Sequence, residues 1–368
     1  MTFSKRTAAV LAALAALVLP AHAGAGTPAG TIAYHDKNFD DSDSQIYVAR
    51  ADGSTGARAL TSLTSAPDPA GCWNGECAGE FPGWSADGSR VFFGATWSPF
   101  FHIWSAKPDG TEPVMEPTTT DFDGSPELSM DGSLIAFDGG NEDGSGQGIY
   151  LRALGSTVAT PLTSGPAHGF DTAPDFSPDG TRVVFSRFLE KGVRVEIWMV
   201  NTNGTGLHRV LSGGRRWGDP HFSPDGSKIL VQAYDERANQ GRNSNEYTVR
   251  PDGTGLKALT NEPIGSFSFS GDWSPDGDHI VYVHATGGDD SLQIRTMDAN
   301  GQDESLIVDC SPDRFCDAPV WGAYEGALPA PTAARVAARA SAAHVSRVAH
   351  RAAAKRLRRA VVRRLSGR

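Results

Sequence analysis

The chain has 368 residues, 21% charged, 39% hydrophobic and 9% aromatic, with 42 Gly and 23 Pro; so many turn formers in a globular composition exclude a disordered chain and a long helical bundle. Its net charge of −10 hides a division: residues 333–368 hold 11 Lys and Arg and no acid, residues 1–23 hold Lys5 and Arg6, and the body between them carries 20 basic against 43 acidic residues, net −23. An acidic body argues against nucleic acid or anionic membrane as its main partner, because phosphate binding needs a basic footprint.

At the start of the chain, Lys5 and Arg6 precede an apolar run from Ala8 to Leu19, then Pro20 and Ala21-His22-Ala23. This reads as a signal peptide over 1–23, cut after Ala23. The run falls short of the roughly 20 residues of a spanning helix, and Gly24 leaves no cysteine for a lipid. Residues 24–30 read as a short linker. The mature protein is expected to be exported, periplasmic or extracellular, and monomeric. Export makes the four cysteines legible as disulfides. Cys72 and Cys77 bracket four residues, and Cys310 and Cys316 bracket five. Local pairing within each couple is the preferred reading. Cross pairing and a zinc site are the alternatives, although neither couple has the two-residue spacing usual for zinc.

From residue 31 onward one phrase recurs. Trp84-Ser-Ala-Asp-Gly88, Leu128-Ser-Met-Asp-Gly132, Phe176-Ser-Pro-Asp-Gly180, Phe222-Ser-Pro-Asp-Gly226 and Trp273-Ser-Pro-Asp-Gly277 each lead into a β-branched or aromatic run. Their serines, at 85, 129, 177, 223 and 274, lie 44 to 51 residues apart, which is the period of a propeller blade. A second phrase follows each first one: Ile103-Trp104 with Asp109-Gly110, Ile149-Tyr150 with Gly155, Ile197-Trp198 with Asn203-Gly204, Tyr247 with Asp252-Gly253, and Ile294 with Asn300-Gly301. Asp-Gly and Asn-Gly between strand-like runs are hairpin signals. Each repeat therefore reads as four short strands. Residues 31–62, with Ile46-Tyr47 and Asp52-Gly53, lack the opening phrase, while Pro319-Val-Trp-Gly322 has an opening and nothing after it. The expectation is an all-β, six-bladed propeller over 31–323, its last strand closing the N-terminal blade so that no sheet edge is left at the join.

These phrases resemble the repeats of the TolB-type (WD40-like) β-propeller family over residues 31 to about 323. The resemblance implies the fold and says little about function. Members with a separate N-terminal domain use it to engage partner proteins; here the blades start directly after the leader, so that role is not carried over.

The sequence has no Gly-x-Ser-x-Gly elbow, no His-Glu-x-x-His zinc helix and no phosphate-binding glycine loop. Asp87, Asp131, Asp179, Asp225 and Asp276 sit where Asp caps its own turn, so they are expected to be structural. Another set comes once per blade before each innermost strand: Glu80, Asp123, Asp171, Asp219, Asp272 and Asp317. With Asp40, Asp41, Asp43, Glu142, Asp143, Asp235, Glu236, Asp289 and Asp290 in the middle connections, they are expected to form an acidic rim on the long-loop face, where a rigid scaffold carries binding residues. A solvated rim serving solubility is the bland alternative.

His221 takes the same strand position as Glu127, Asp175 and Asp272, and these four would suit a divalent cation through mixed oxygen and nitrogen ligands, while Ca²⁺ is the alternative to a basic peptide on the acidic rim. His35, His168 and His284 are further candidates for such chemistry. No catalytic residue stands out. The leading expectation is a non-enzymatic propeller that binds a cationic protein or peptide on its acidic face. A carbohydrate-active or metal-dependent lyase or hydrolase using that face is the alternative. Residues 324–368 read as an Ala/Arg-rich tail, solvated and disordered, or helical through Leu357, Val361 and Leu365 and then able to contact an anionic envelope surface.

Overall fold

Each Ser-x-Asp-Gly phrase folds as a self-capped turn. In Phe176–Gly180, Ser177 Oγ donates to Asp179 Oδ1 at 2.6 Å and the Thr181 amide donates to the same oxygen at 3.0 Å, while Gly180 takes φ 66°, a conformation glycine adopts without strain. The same Ser to Asp bond recurs at Ser85/Asp87, Ser129/Asp131, Ser223/Asp225 and Ser274/Asp276. Hydrogen bonds from Ser129 and Ser133 favour the ionised form and lower Asp131 to about 2; those from Ser177 and Thr181 do the same for Asp179. These five carboxylates are turn caps, as expected.

The computed structural model describes residues 28–38, 44–62, 78–98, 100–118, 120–141, 143–166, 169–189, 194–235, 242–286, 292–310 and 314–328. The expectations for the leader, Cys72 and Cys77, Asp40, Asp41, Asp43, Glu142, His168, Glu236, Asp289, Asp290 and residues 329–368 fall outside the described residues. Among those described there are 24 strands and no helix, hence no helix long and apolar enough to cross a membrane.

The strands group into antiparallel four-stranded meanders. Blade 1 holds β1 (Thr31–Asn38), β2 (Ser44–Arg50) and β3 (Arg58–Ala59). Blade 2 runs through β4 (Gly79–Trp84), β5 (Val91–Ala95), β6 (His102–Ala106) and β7 (Val114–Met115), and blade 3 through β8 (Phe122–Leu128), β9 (Leu134–Gly140), β10 (Gly148–Ala153) and β11 (Ala159–Pro161). Blade 4 comprises β12 (Phe170–Phe176), β13 (Arg182–Leu189), β14 (Arg194–Asn201) and β15 (His208–Leu211). Blade 5 comprises β16 (Arg216–Phe222), β17 (Ile229–Asp235), β18 (Asn243–Val249) and β19 (Lys257–Ala258). Blade 6 comprises β20 (Ser266–Trp273), β21 (His279–Thr286), β22 (Leu292–Asp298) and β23 (Ser305–Asp309). The last strand, β24 (Arg314–Gly322), returns to pair with β1, giving the order β24-β1-β2-β3.

Four meanders stand as separate four-stranded sheets. The other two, blades 5 and 6, are continuous through one parallel pair, Ser244 opposite Phe267. The expectation of six separate blades is corrected to that extent: the middle connection side of β18 approaches β20 closely enough to share a bridge. Innermost strands touch in cyclic order, β4 to β8, β12, β16, β20 and β24 and back to β4, which closes the ring.

The core lies between blades. Val320, Ala33, Ile46 and Val48 of blade 1 pack on Val91, Phe93 and Trp104 of blade 2, and Val184, Ile197 and Met199 of blade 4 pack on Ile229, Val231 and Trp217 of blade 5. The isoleucines of the second phrase, Ile46, Ile103, Ile149, Ile197 and Ile294, are fully buried, each worth roughly 1.5–3 kcal/mol.

Cys310 and Cys316 are joined, with Cα atoms 6.2 Å apart. Cys316 is inside β24 rather than in the loop before it, so the disulfide ties the outer edge of blade 6 to the closing strand. Replacing both cysteines by serine should lower stability by about 1–3 kcal/mol, less than for longer closed loops. Urea unfolding of oxidised wild type against the double variant measures it, and equal midpoints would show that the bond adds nothing to closure.

Residues 324–328 dock across blades 1 and 2 rather than beginning a free tail. Tyr324 stacks on Trp84 with ring centroids 6.2 Å apart, its carbonyl accepts from Thr31 Oγ1 at 2.6 Å and Arg50 Nη1 at 2.9 Å, and Leu328 packs against the core between blades 1 and 2.

Candidate functional site

Every innermost strand carries one bulge at the same place. Phe81, Ser125, Ala173, Asp219, Ser270 and Ala318 all have φ between 44° and 54°, and pairing resumes two residues later at Gly83, Glu127, Asp175, His221, Asp272 and Val320. A bulge bends its strand and re-aims the side chains after it. Part of the liberated backbone is satisfied from the neighbouring blade: the Asp219 amide donates to Ser186 Oγ at 3.0 Å and the Ser270 amide to Gln232 Oε1 at 3.1 Å.

The residues after the bulge staple the ring. Asp175 Oδ2 accepts the Phe222 amide of blade 5 at 2.5 Å, Trp273 Nε1 donates to the His221 carbonyl at 3.2 Å, Asp272 Oδ2 accepts the Trp321 amide at 2.8 Å, and Trp84 Nε1 donates to the Val320 carbonyl at 3.3 Å. These bonds carry the ring from blade 4 through 5, 6 and 1 to 2.

Glu127, Asp175, His221 and Asp272, grouped from the sequence, share one register; Glu127 feels the charges of the other three, and Asp175 and His221 feel each other and Asp272. His221 is the hub, with Nδ1 3.6 Å from Asp272 Oδ1 and Nε2 3.9 Å from Asp219 Oδ1. Burial works against its positive charge, but Asp219, Asp272 and Asp175 outweigh it and raise its pKa well above 6.5. The carboxyls pay the same desolvation: burial raises Glu127 far above its usual range, lifts Asp272, and brings Asp175 to about 7 even though His221 opposes it. Side chains of Asp219, His221 and Asp272 stay 18 to 25% exposed, so the cluster is reached by solvent. As the side chains stand, no three His, Cys, Asp or Glu groups among the described residues are arranged to hold a metal ion.

The proposed rim divides. Glu80 and Asp317 lie one residue before the bulge residue, Asp123 and Asp171 two before, Asp219 at it and Asp272 two after. Asp123 is buried against His102 Nδ1 at 2.5 Å and contributes charge to the buried Arg152. Asp171 is buried in a two-point pair with Arg187. Asp317 accepts from Ser270 Oγ and the Ala318 amide, both at 2.7 Å, and Glu80 lies 3.9 Å from Lys37 Nζ. Only Asp219 and Asp272 join the cluster. Among the other histidines, His35 is buried against the edge of Phe81 and His284 lies 3.2 Å from Glu262 Oε1.

One member was not singled out from sequence. Glu246, on β18, is fully buried, and no hydrogen bond of normal geometry reaches either carboxyl oxygen. Burial, then the Asp219 charge, raise it to about 8 against the influence of His221. It occupies the place held by Ile46, Ile103, Ile149, Ile197 and Ile294 in the other blades, just before Tyr247. Its carboxyl lies over Gly271, where a Cβ would come within 3.0 Å of Glu246 Cδ and 2.9 Å of Leu230 Cδ2. The other five blades have Pro at that position: Pro82, Pro126, Pro174, Pro220 and Pro319. Two departures from the repeat thus touch each other beside Asp272.

A groove of about 750 Å³ on the long-loop face, between Gln147, Tyr150, Thr163, Pro166 and Phe170, has no carboxylate or histidine among its lining residues. The cluster is elsewhere, one residue from the ends of β8, β12, β16 and β20, where they enter their Asp-Gly turns.

A family model described as TolB beta propeller domain matches residues 101–322. The chain is 33% identical over 143 residues to an uncharacterized protein of Agrobacterium fabrum, covering 37% of this chain and 46% of that one. It is 28% identical over 128 residues to an uncharacterized peptidase, YuxL, of Bacillus subtilis, covering 34% and 19%. The chain thus spans less than half the length of these relatives. The crystal structure of TolB from Acinetobacter baumannii superposes with a TM-score of 0.62 at 18% identity, over 80% of this chain and 67% of that one, a likeness of fold.

Proposed function

The chain belongs to the TolB β-propeller family, and from that premise we propose that it is an exported binding propeller which holds a cationic segment of a protein or peptide partner at the His221 cluster. The observation that carries this reading is the convergence of Glu127, Asp175, Asp219, Glu246 and Asp272 around one histidine. Five carboxyls surround one imidazole, and although burial keeps Glu127 and Glu246 protonated at neutral pH, a guanidinium or ammonium group placed there would favour their ionised forms and be held by them. The binding surface moves from the long-loop rim to the turn end of the ring, since four of the six rim acids, Glu80, Asp123, Asp171 and Asp317, already have partners within or between blades. Signal-directed export and the oxidised Cys310–Cys316 bond are mutually consistent.

Calorimetry with a hexa-arginine peptide at low ionic strength tests the reading. Asp219→Asn with Glu127→Gln should weaken binding about tenfold, in the range of close charge pairs, and raising salt should weaken the wild type further as the screening length falls to roughly 8 Å. Equal affinity of the double variant and wild type at low salt would end the proposal. A parallel Ca²⁺ titration covers a cation bound by the same oxygens, which would require about six to eight of them.

A second reading, a hydrolase or lyase, is favoured by one observation: Asp175, brought to about 7 beside a protonated histidine, lies in the range suited to proton transfer near neutral pH.

A further inference from the structure

We propose that the chain's own basic segment, residues 333–368, is an occupant of the His221 cluster in cis, so that an external cationic partner must displace it. This rests on the cationic-ligand reading above and names a partner for that site.

Three observations support it. First, the site is more than a patch of acids. Glu246 is a fully buried carboxyl that no hydrogen bond of normal geometry reaches, set over Gly271 next to Asp272, and it replaces the apolar residue the repeat uses there. A buried polar group left unsatisfied in this way is costly, and a cation at the cluster relieves it. Second, the charges are complementary. Residues 333–368 carry 11 Lys and Arg and no Asp or Glu, nine of the basic residues lie in 347–368, and the body is at −23. Third, the segment is delivered to the correct end of the ring. The β24 strand ends at Gly322, and Tyr324 follows against Gly88, in the Asp-Gly turn after β4. The cluster lies at that same end of the innermost strands. From Leu328, the 18 residues 329–346 span up to about 60 Å when extended, against a radius of gyration of about 19 Å for a propeller of this size.

Tethering makes modest affinity sufficient. A short linker of this kind gives an effective concentration in the millimolar range, so a segment that would bind as a free peptide with a Kd of about 100 μM occupies the site about ten times more often than it leaves it empty. Long Arg side chains also suit a recessed carboxyl cluster, because the guanidinium can donate two parallel hydrogen bonds to a carboxylate.

The test uses three full-length proteins: wild type, a form with all 11 Lys and Arg of 333–368 replaced by Gln, and Asp219→Asn with Glu127→Gln. Asn is tolerated at 219, where φ is 54°, since Asn adopts the left-handed region more readily than most residues. A synthetic peptide of residues 347–368 is titrated into each at low salt, and trypsin cleavage within 333–368 is timed in wild type and in the double variant. Occupancy in cis requires the peptide to bind the Gln-substituted chain about tenfold more tightly than wild type. It also requires the segment to be cut several-fold faster in the double variant than in wild type, a difference that high salt abolishes. Equal peptide affinity for wild type and the Gln-substituted chain, with equal cleavage rates, overturns occupancy in cis while leaving the site itself standing. Binding to the Gln-substituted chain that is no tighter than to the double variant overturns both. Protection that rises with protein concentration places the segment on a second copy and overturns the cis arrangement.

Discussion

Asp171→Ala is expected to destabilise the propeller by about 3–5 kcal/mol, the usual cost of removing one partner from a buried ion pair. The Asp171 side chain is inaccessible and that of Arg187 is 8% exposed. Arg187 Nε and Nη2 donate to the two carboxylate oxygens, each at 2.7 Å, and Thr163 Oγ1 donates to Oδ2 at 2.7 Å. With the carboxylate gone, the guanidinium keeps a 3.5 Å contact to the Ser164 carbonyl and its place over Trp198, 4.7 Å from the ring centroid. The aromatic face returns only part of what is lost. Urea unfolding monitored by tryptophan fluorescence measures the change, and a loss below about 1 kcal/mol would mean that the pair is not what holds β12 to β13. The same substitution should leave hexa-arginine binding to the surviving folded protein unchanged, because Asp171 is absent from the His221 cluster.

That contrast shows where the sequence is readable. Blade period, turn caps and closure by β24 follow from chemistry confined to four or five residues: Ser, Asp and Gly satisfy one another within the turn, so the phrase means the same thing in each repeat. The grouping of Glu127, Asp175, His221 and Asp272 holds for the same reason. Each stands two residues before the turn serine, and no irregularity intervenes. The rim was counted from the other end of the strand, across the bulge, where a shift of one residue sends a side chain to the opposite face. Asp123 and Asp171 therefore point into pairs with His102 and Arg187, and an acid at the start of a strand gives no sign of which cation on a neighbouring strand will claim it. Glu246 was legible in principle, since it fills the isoleucine place of the second phrase. Its meaning depended on Gly271, 25 residues later, being the glycine that makes room for it.

Glu246→Gln should make the propeller more stable than wild type in alkaline solution, by several kcal/mol once the pH exceeds 8. The folded chain holds the Glu246 proton up to about pH 8, chiefly because of burial and then the Asp219 charge, whereas the unfolded chain releases it near the ordinary value of 4.5. Between these values the folded state binds more protons than the unfolded state, so stability falls as pH rises. Below 4.5 both states are protonated and the difference vanishes; above 8 both are ionised and the loss is complete. Asp175, raised to about 7 from 3.8, adds a fall of the same sign over a lower window. Gln keeps the shape of the protonated carboxyl and cannot ionise, so its stability profile should lack the Glu246 component and separate progressively from that of wild type above about pH 4.5. Thermal unfolding at pH 4, 6, 8 and 9 traces this separation. Parallel profiles for the two proteins would mean that Glu246 ionises in the folded state as easily as in the unfolded chain, and is not a buried acid. The same proton ties stability to binding. A cation placed at the cluster favours the ionised carboxyl, so it should expel the proton from Glu246 and bind more tightly as pH rises from 6 to 8. In the Gln variant the contribution of Glu246 to that pH dependence disappears and the one from Asp175 remains.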